Sequence, residues 1–148
     1  MDFVAVINDG IKQAMISKDS IRLETLRSVR AGIIEFEKSG TDKALGEEEF
    51  LRIVNAGVKK RKDSIAQYEQ YGRTELADKE KQELAILMEF MPKQLSEEEV
   101  EAELRAIVAE VGATGAGDFG KVMGVAMKNL KGKADGTIIQ TLVKKILA

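Results

Sequence analysis

Residues 96–111 read S-E-E-E-V-E-A-E-L-R-A-I-V-A-E-V, and the spacing of the apolar residues in this stretch decides the class of fold. Val100, Leu104, Ile107, Val108 and Val111 recur at helical intervals. Ser96 stands where an N-cap belongs: its hydroxyl can accept from the Glu99 amide while the Glu99 side chain reaches back to the serine. Gly112 then ends the helix. The glycines that follow, Gly115, Gly117 and Gly120 with Lys121, imitate a phosphate-binding loop. Such a loop needs a strand before it and a hydroxyl after the lysine. Here a helix precedes it and Val122 follows it, so a nucleotide-hydrolysing loop is excluded. The glycines turn the chain instead, with Asp118 or a preceding glycine capping the next helix.

Outward from this point the same periodicity runs through almost the whole chain, and no alternating strand pattern interrupts it. The fold class is all-α, with seven helices. The first covers about Phe3 to Ser17, with Val4, Ile7, Ile11 and Met15 on one face. The second runs from about Asp19 to Lys38, with Leu26, Val29, Ile33 and Phe36. A third, about Glu47 to Tyr71, and a fourth, about Thr74 to Met91, form a long hairpin around Gly72-Arg73. Pro92 is the only proline, and it cannot continue a hydrogen-bonded helix and disfavours helical geometry at Met91. It marks a joint between two small helical domains, 1–92 and 93–148, the first of four helices and the second of three. The last two helices lie near Phe119 to Leu130 and from about Gly136. Acidic first turns at Glu47 and Glu97 mimic a repeat, but the helix dipole favours acids at any helix start.

Composition narrows the chemistry. The 148 residues are 44% apolar, enough for a buried core. There is no cysteine and no histidine, which removes disulfides, thiolate nucleophiles, zinc-cysteine sites and the usual neutral-pH acid-base group. No catalytic residue, metal ligand or cofactor is called for. The sequence shows no run long and apolar enough for a bilayer and no basic secretory start at Met1-Asp2-Phe3, so no membrane and a cytoplasmic location are expected. The formal net charge of −2 hides an asymmetry. Leu95 to Thr114 carries six acids against Arg105, whereas Gly115 to Ala148 carries six lysines against Asp118 and Asp135. A mildly basic tail thus follows an acidic helix.

Three groups of side chains are candidates for a role. On the third helix, Phe50, Val54, Ile65 and Tyr68 make a stripe with Arg61 at its centre at 100° per residue. On the fourth, Leu76, Leu84, Leu87 and Met91 make the facing stripe, with Glu80 and Glu83 in or beside it. Arg61 and Glu83 are equally far from the bend at Gly72, so they should meet as an internal ion pair, with Glu80 one turn nearer. The second group is Lys59-Lys60-Arg61-Lys62, in which Lys59 and Lys62, with Arg52, form an outward face suited to phosphates or simply to solvent. The third lies in the tail. Phe119, Val122, Met123, Ala126, Met127 and Leu130 face a core and leave Lys121 and Lys128 outside, with Gly124 between them; Lys131 and Lys133 extend the basic edge. A glycine inside a helix costs up to about 1 kcal/mol against alanine, which suggests a close approach, either of a second helix or of a ligand. The amides at the helix start near Asp118, beside Lys121, offer a place for one phosphate.

Several separated motifs carry a family resemblance: Leu26-Arg27-Ser28-Val29-Arg30-Ala31, K-K-R-K-D-S-I from Lys59, G-R-T-E-L from Gly72, Glu80 with Glu83-Leu84, F-M-P-K-Q-L-S from Phe90, and D-F-G-K-V-M-G followed by K-G-K-A-D-G. With these the chain resembles the YqeY family over nearly its whole length. The segment after Pro92 is similar to the tail domain of the B subunit of glutamine-dependent aminoacyl-tRNA amidotransferase. Departures are mild: Phe90-Met91 replace the usual Tyr-Leu, Phe119 a methionine, and Ile33-Ile34 a common basic residue. The resemblance implies two helical domains and a link to tRNA, because the amidotransferase tail contacts tRNA, and it implies no catalysis. It also implies, as the other partner to consider, an amidotransferase or aminoacyl-tRNA synthetase subunit on which a helical adapter would dock without touching RNA.

Overall fold

The structure is a computed structural model that describes residues 1–40 and 42–148. Among the described residues all regular structure is helical: α1 (Phe3–Ser17), α2 (Ser20–Lys38), α3 (Glu47–Gln70), α4 (Thr74–Met88), α5 (Glu97–Val111), a single 3-10 turn (Ala116–Asp118), α6 (Phe119–Asn129) and α7 (Gly136–Leu147). The chain gathers into two compact units, Met1–Met91 and Pro92–Ala148.

Local chemistry sets most of the helix ends. The Asp2, Asp19, Ser96 and Asp135 side chains accept from the amides of Ala5, Arg22, Glu99 and Thr137, which satisfies donors the first turn would otherwise orphan. Glu99 does not reach back to the Ser96 amide; its carboxylate accepts the Ser96 hydroxyl at 3.2 Å. Gly112 closes α5 in the left-handed region at φ 69°, and Gly72 makes the α3–α4 bend at φ 68°. Helix α4 stops at Met88 rather than running to Met91. The amides of Phe90 and Met91 bond three residues back, to Leu87 and Met88, so the chain tightens into a 3-10 wind before the proline.

In the first unit, Ile7 and Ile11 of α1, Leu26, Val29 and Ile33 of α2, Phe50, Val54 and Val58 of α3 and Leu87 of α4 form one core. Two stripe positions rotate away from expectation. Ala77 is buried and Leu76 is 41% exposed; on α1, Ala14 is buried and Met15 faces solvent. In both places a small side chain takes the buried position in place of a larger neighbour. A close approach occurs at Gly32 of α2, where a Cβ would lie 2.6 Å from Ile53 Cγ2, with the rest of that stiff β-branched side chain behind it. Gly32→Ala would gain about 1 kcal/mol of helix propensity in open space, yet overpacking costs about 1–3 kcal/mol. A lower urea midpoint is therefore expected. Both tyrosines lie on α3 or at its end and there is no tryptophan, so tyrosine emission follows this unit; a raised midpoint would refute the close packing.

The second unit closes α5, α6 and α7 around Val100, Leu104, Ile107, Val122, Ala126, Leu130, Ile139, Leu142, Val143 and Leu147. Met127, expected inside, is 43% exposed. The loop between α6 and α7 is tied to the start of the unit: the Lys133 carbonyl accepts from the Leu95 amide at 2.9 Å and the Gly132 carbonyl from the Gln94 side chain at 2.6 Å.

Candidate functional site

In the second unit, helix α6 turns Val122, Ala126 and Leu130 inward and leaves Lys121, Gly124 and Lys128 exposed. Nothing lies within 4 Å of where a Cβ on Gly124 would stand, nor on Gly120 one turn earlier. The glycine therefore does not serve a helix-to-helix contact inside the unit. The outer face of α6 is bare backbone between two lysines, a surface that a chain of phosphates can approach closely. Lys131 and Lys133 follow in the loop, their side chains exposed.

The start of α6 is organised differently from the sequence reading. Asp118 makes no side-chain cap to its own helix. Its carboxylate turns back and accepts from the Thr114 amide at 2.9 Å. That amide bond, a second from Gly115 and the nearby Lys121 hold the carboxyl below its ordinary value. A phosphate approaching this end would meet a carboxylate that stays ionised. The 3-10 turn at Ala116–Asp118 creates this arrangement, and no side-chain pattern announces it.

The first unit holds the second cluster. Arg61 Nε lies 3.6 Å from Glu83 Oε2, with each side chain 11% exposed. Arg61 also donates to the Ser28 hydroxyl at 3.2 Å and to the Gly57 carbonyl at 3.4 Å. Its Nε, though buried, has no hydrogen-bond partner. Burial, and then the neighbouring Glu80, push the Glu83 carboxyl above its ordinary value, while Arg61 pulls it the other way. Glu80 is half-buried and takes no hydrogen bond from Arg61. Ser28 joins the cluster from α2, a contact with Arg61 across 33 residues that helix spacing along α3 and α4 does not announce.

Along α3, Lys59, Lys60 and Lys62 are exposed. Arg52, on the same outward face, pairs with Glu48 at 3.5 Å. Arg22 and Glu89, 67 residues apart, form a bidentate pair at 2.8 and 3.0 Å that sequence spacing could not reveal. No group of three or more His, Cys, Asp or Glu residues capable of holding a metal occurs among the described residues. Nor is any helix there long and apolar enough to cross a membrane.

The family model described as Yqey-like protein matches residues 5–147. The chain belongs to this family. Within it, the Yqey-like chain is 32% identical over 113 residues to "Altered inheritance of mitochondria protein 41, mitochondrial" of Kluyveromyces lactis, covering 75% of this chain and 61% of that protein. The protein of the same name from Lachancea thermotolerans is 29% identical, over 75% of this chain and 60% of its own length. Its namesake from Pyrenophora tritici-repentis is 28% identical over 144 residues, covering 93% of this chain and 76% of that protein. The chain thus spans about three-fifths of the length of the first two relatives. These names overturn the expectation of a cytoplasmic location, because they point to mitochondria.

Proposed function

We propose that the chain is a non-catalytic RNA-binding accessory protein whose ligand class is tRNA, met by the outer face of α6. The carrying observation is Gly124, exposed with nothing packed on it, between the exposed Lys121 and Lys128. A mid-helix glycine with no packing partner costs stability, and a ligand backbone that needs the space is a reason to keep it. Lys131 and Lys133 supply further positive charge. The choice of tRNA rests on the similarity of the segment after Pro92 to the amidotransferase tail.

The test is fluorescence anisotropy with bulk tRNA over a range of salt. Binding through four lysines should weaken with salt at a slope of roughly three to four log units per log unit of salt. Lys121→Glu/Lys128→Glu should abolish binding at moderate salt and lower the slope by roughly two. Gly124→Ala should leave the fold as stable or up to about 1 kcal/mol more so while weakening RNA binding. No binding at low salt, or binding untouched by the double substitution, removes the proposal.

A further inference from the structure

Helices α5 and α7 begin side by side, and between their first turns lies an open cavity of about 140 Å³ lined by Glu97, Thr137, Ile138, Thr141 and Leu142. Its floor is aliphatic. Leu142 is buried and Ile138 is 45% exposed at the rim. Its side-chain polar groups are the Glu97 carboxylate and the hydroxyls of Thr137 and Thr141. The Thr141 hydroxyl gives its proton to the Thr137 carbonyl at 2.9 Å, so its oxygen has only acceptor capacity left. The Thr137 amide is taken by Asp135 at 2.8 Å.

Glu97 completes the rim. Glu99 accepts from Ser96, and Glu101 is paired with Arg105 at 2.9 Å. Glu97 has neither a hydrogen bond nor an ion pair. An anion is poorly suited to this place although two helix N-termini point near it. Ser96 and Asp135 already cap both, and the stretch from Leu95 to Thr114 carries six acids against one arginine. Glu97 is exposed, and a bare hydrocarbon would displace water from its carboxylate while offering it nothing in return. An alkylammonium satisfies both surfaces, its stem on Ile138 and Leu142 and its head among the Glu97 carboxylate and the threonine oxygens. The volume is that of about four or five waters, which a four-carbon stem and its ammonium group fill.

We propose that this cavity is a docking socket for a lysine side chain presented by a partner protein, separate from the lysine face of α6. The exposed Ile138 supplies apolar area for the residue beside that lysine, and the acidic flank of α5 steers a basic segment toward it. The partner is thereby specified by its chemistry: a segment with a lysine flanked by an aliphatic residue, and positively charged overall.

The test uses the full chain and three peptides of one sequence, Ac-Ala-Leu-X-Ala-Ala-Leu-X-Ala-amide, in which X is lysine, norleucine or glutamate. Amide chemical shifts are followed by NMR. The lysine peptide should move the resonances of Thr137 to Leu142 and of Glu97 in a saturable way. The norleucine peptide, with the same stem and no charge, should bind at least about tenfold more weakly, as loss of one charge-assisted hydrogen bond implies, and the glutamate peptide not at all. Glu97→Gln should erase the preference for lysine, while Glu110→Gln, elsewhere on α5, should keep it. Shifts scattered over all acidic residues, equal binding of lysine and norleucine peptides, or a lysine preference that survives Glu97→Gln would each overturn the proposal. So would free butylammonium binding as tightly as the lysine peptide, which would make this a small-amine site instead.

Discussion

Replacing Phe50 by alanine is expected to lower the stability of the first unit by about 4 kcal/mol, within the range for deleting a buried aromatic ring. Phe50 is 2% exposed. Its ring stacks on Phe3 at 4.5 Å between centroids and meets Phe90 edge-on at 6.1 Å. One side chain thereby joins the start of α1, the start of α3 and the 3-10 wind after α4. The loss combines the transfer energy of the ring with the cavity left between two other aromatics, which are held by their own backbone and cannot collapse into it. Domains of this size are stable by only about 5–15 kcal/mol, so the variant should sit near the edge of unfolding. Urea titration followed by tyrosine emission is the measurement, since Tyr68 and Tyr71 both belong to this unit. A loss below about 1 kcal/mol would mean that Phe3 and Phe90 repack freely, and would contradict the described core.

Much of this architecture is legible in the sequence because its signals are local. Ser96 before three glutamates, Gly112 after an apolar run and the solitary Pro92 each act on the backbone beside them. The facing of Arg61 and Glu83 is legible for a related reason: in an antiparallel hairpin, residues equally far from the bend lie at equal height. What stays hidden depends on a third element. Ser28 reaches Arg61 from α2, and Arg22 finds Glu89 across 67 residues. The exchange of Leu76 for Ala77 on the buried face has the same origin. A wheel drawn through the largest apolar residues ignores close helix approach, where alanine or glycine fits and leucine does not. Asp118 illustrates a further limit. As a helix-start aspartate it reads as a forward cap, but the 3-10 turn beside it points its carboxylate back to Thr114.

Removing the Glu83 side chain should cost about 3 kcal/mol, and more than removing that of Arg61, although the two form one pair. The asymmetry follows from what each leaves behind. In Glu83→Ala the guanidinium stays charged at every accessible pH. It would keep only the Ser28 hydroxyl and the Gly57 carbonyl, at 3.2 and 3.4 Å, with Nε still unsatisfied. In Arg61→Ala the stranded carboxyl can take up a proton, an escape that burial and Glu80 already favour. About 2 kcal/mol is expected there, and Arg61→Met/Glu83→Met should return to within about 1 kcal/mol of the parent, as buried ion pairs replaced by apolar residues often do. The pH dependence has a definite sign. The folded-state pKa of Glu83 lies above its ordinary 4.5, so the native chain holds a proton that the unfolded chain has already released. This contribution is fully present below 4.5 and is lost as pH rises through the raised value. Glu89, lowered by its hydrogen bonds to Arg22, works in the opposite sense, its contribution being lost as pH falls through its folded value. Subtracting the stability of Glu83→Gln from that of the parent at each pH isolates the first effect, because Glu89 titrates in both. The difference should decline as pH rises from about 4 to 8. A difference that instead grows with pH would show that attraction to Arg61 outweighs desolvation, and the carboxylate would then be a satisfied partner of the arginine rather than a reluctant one.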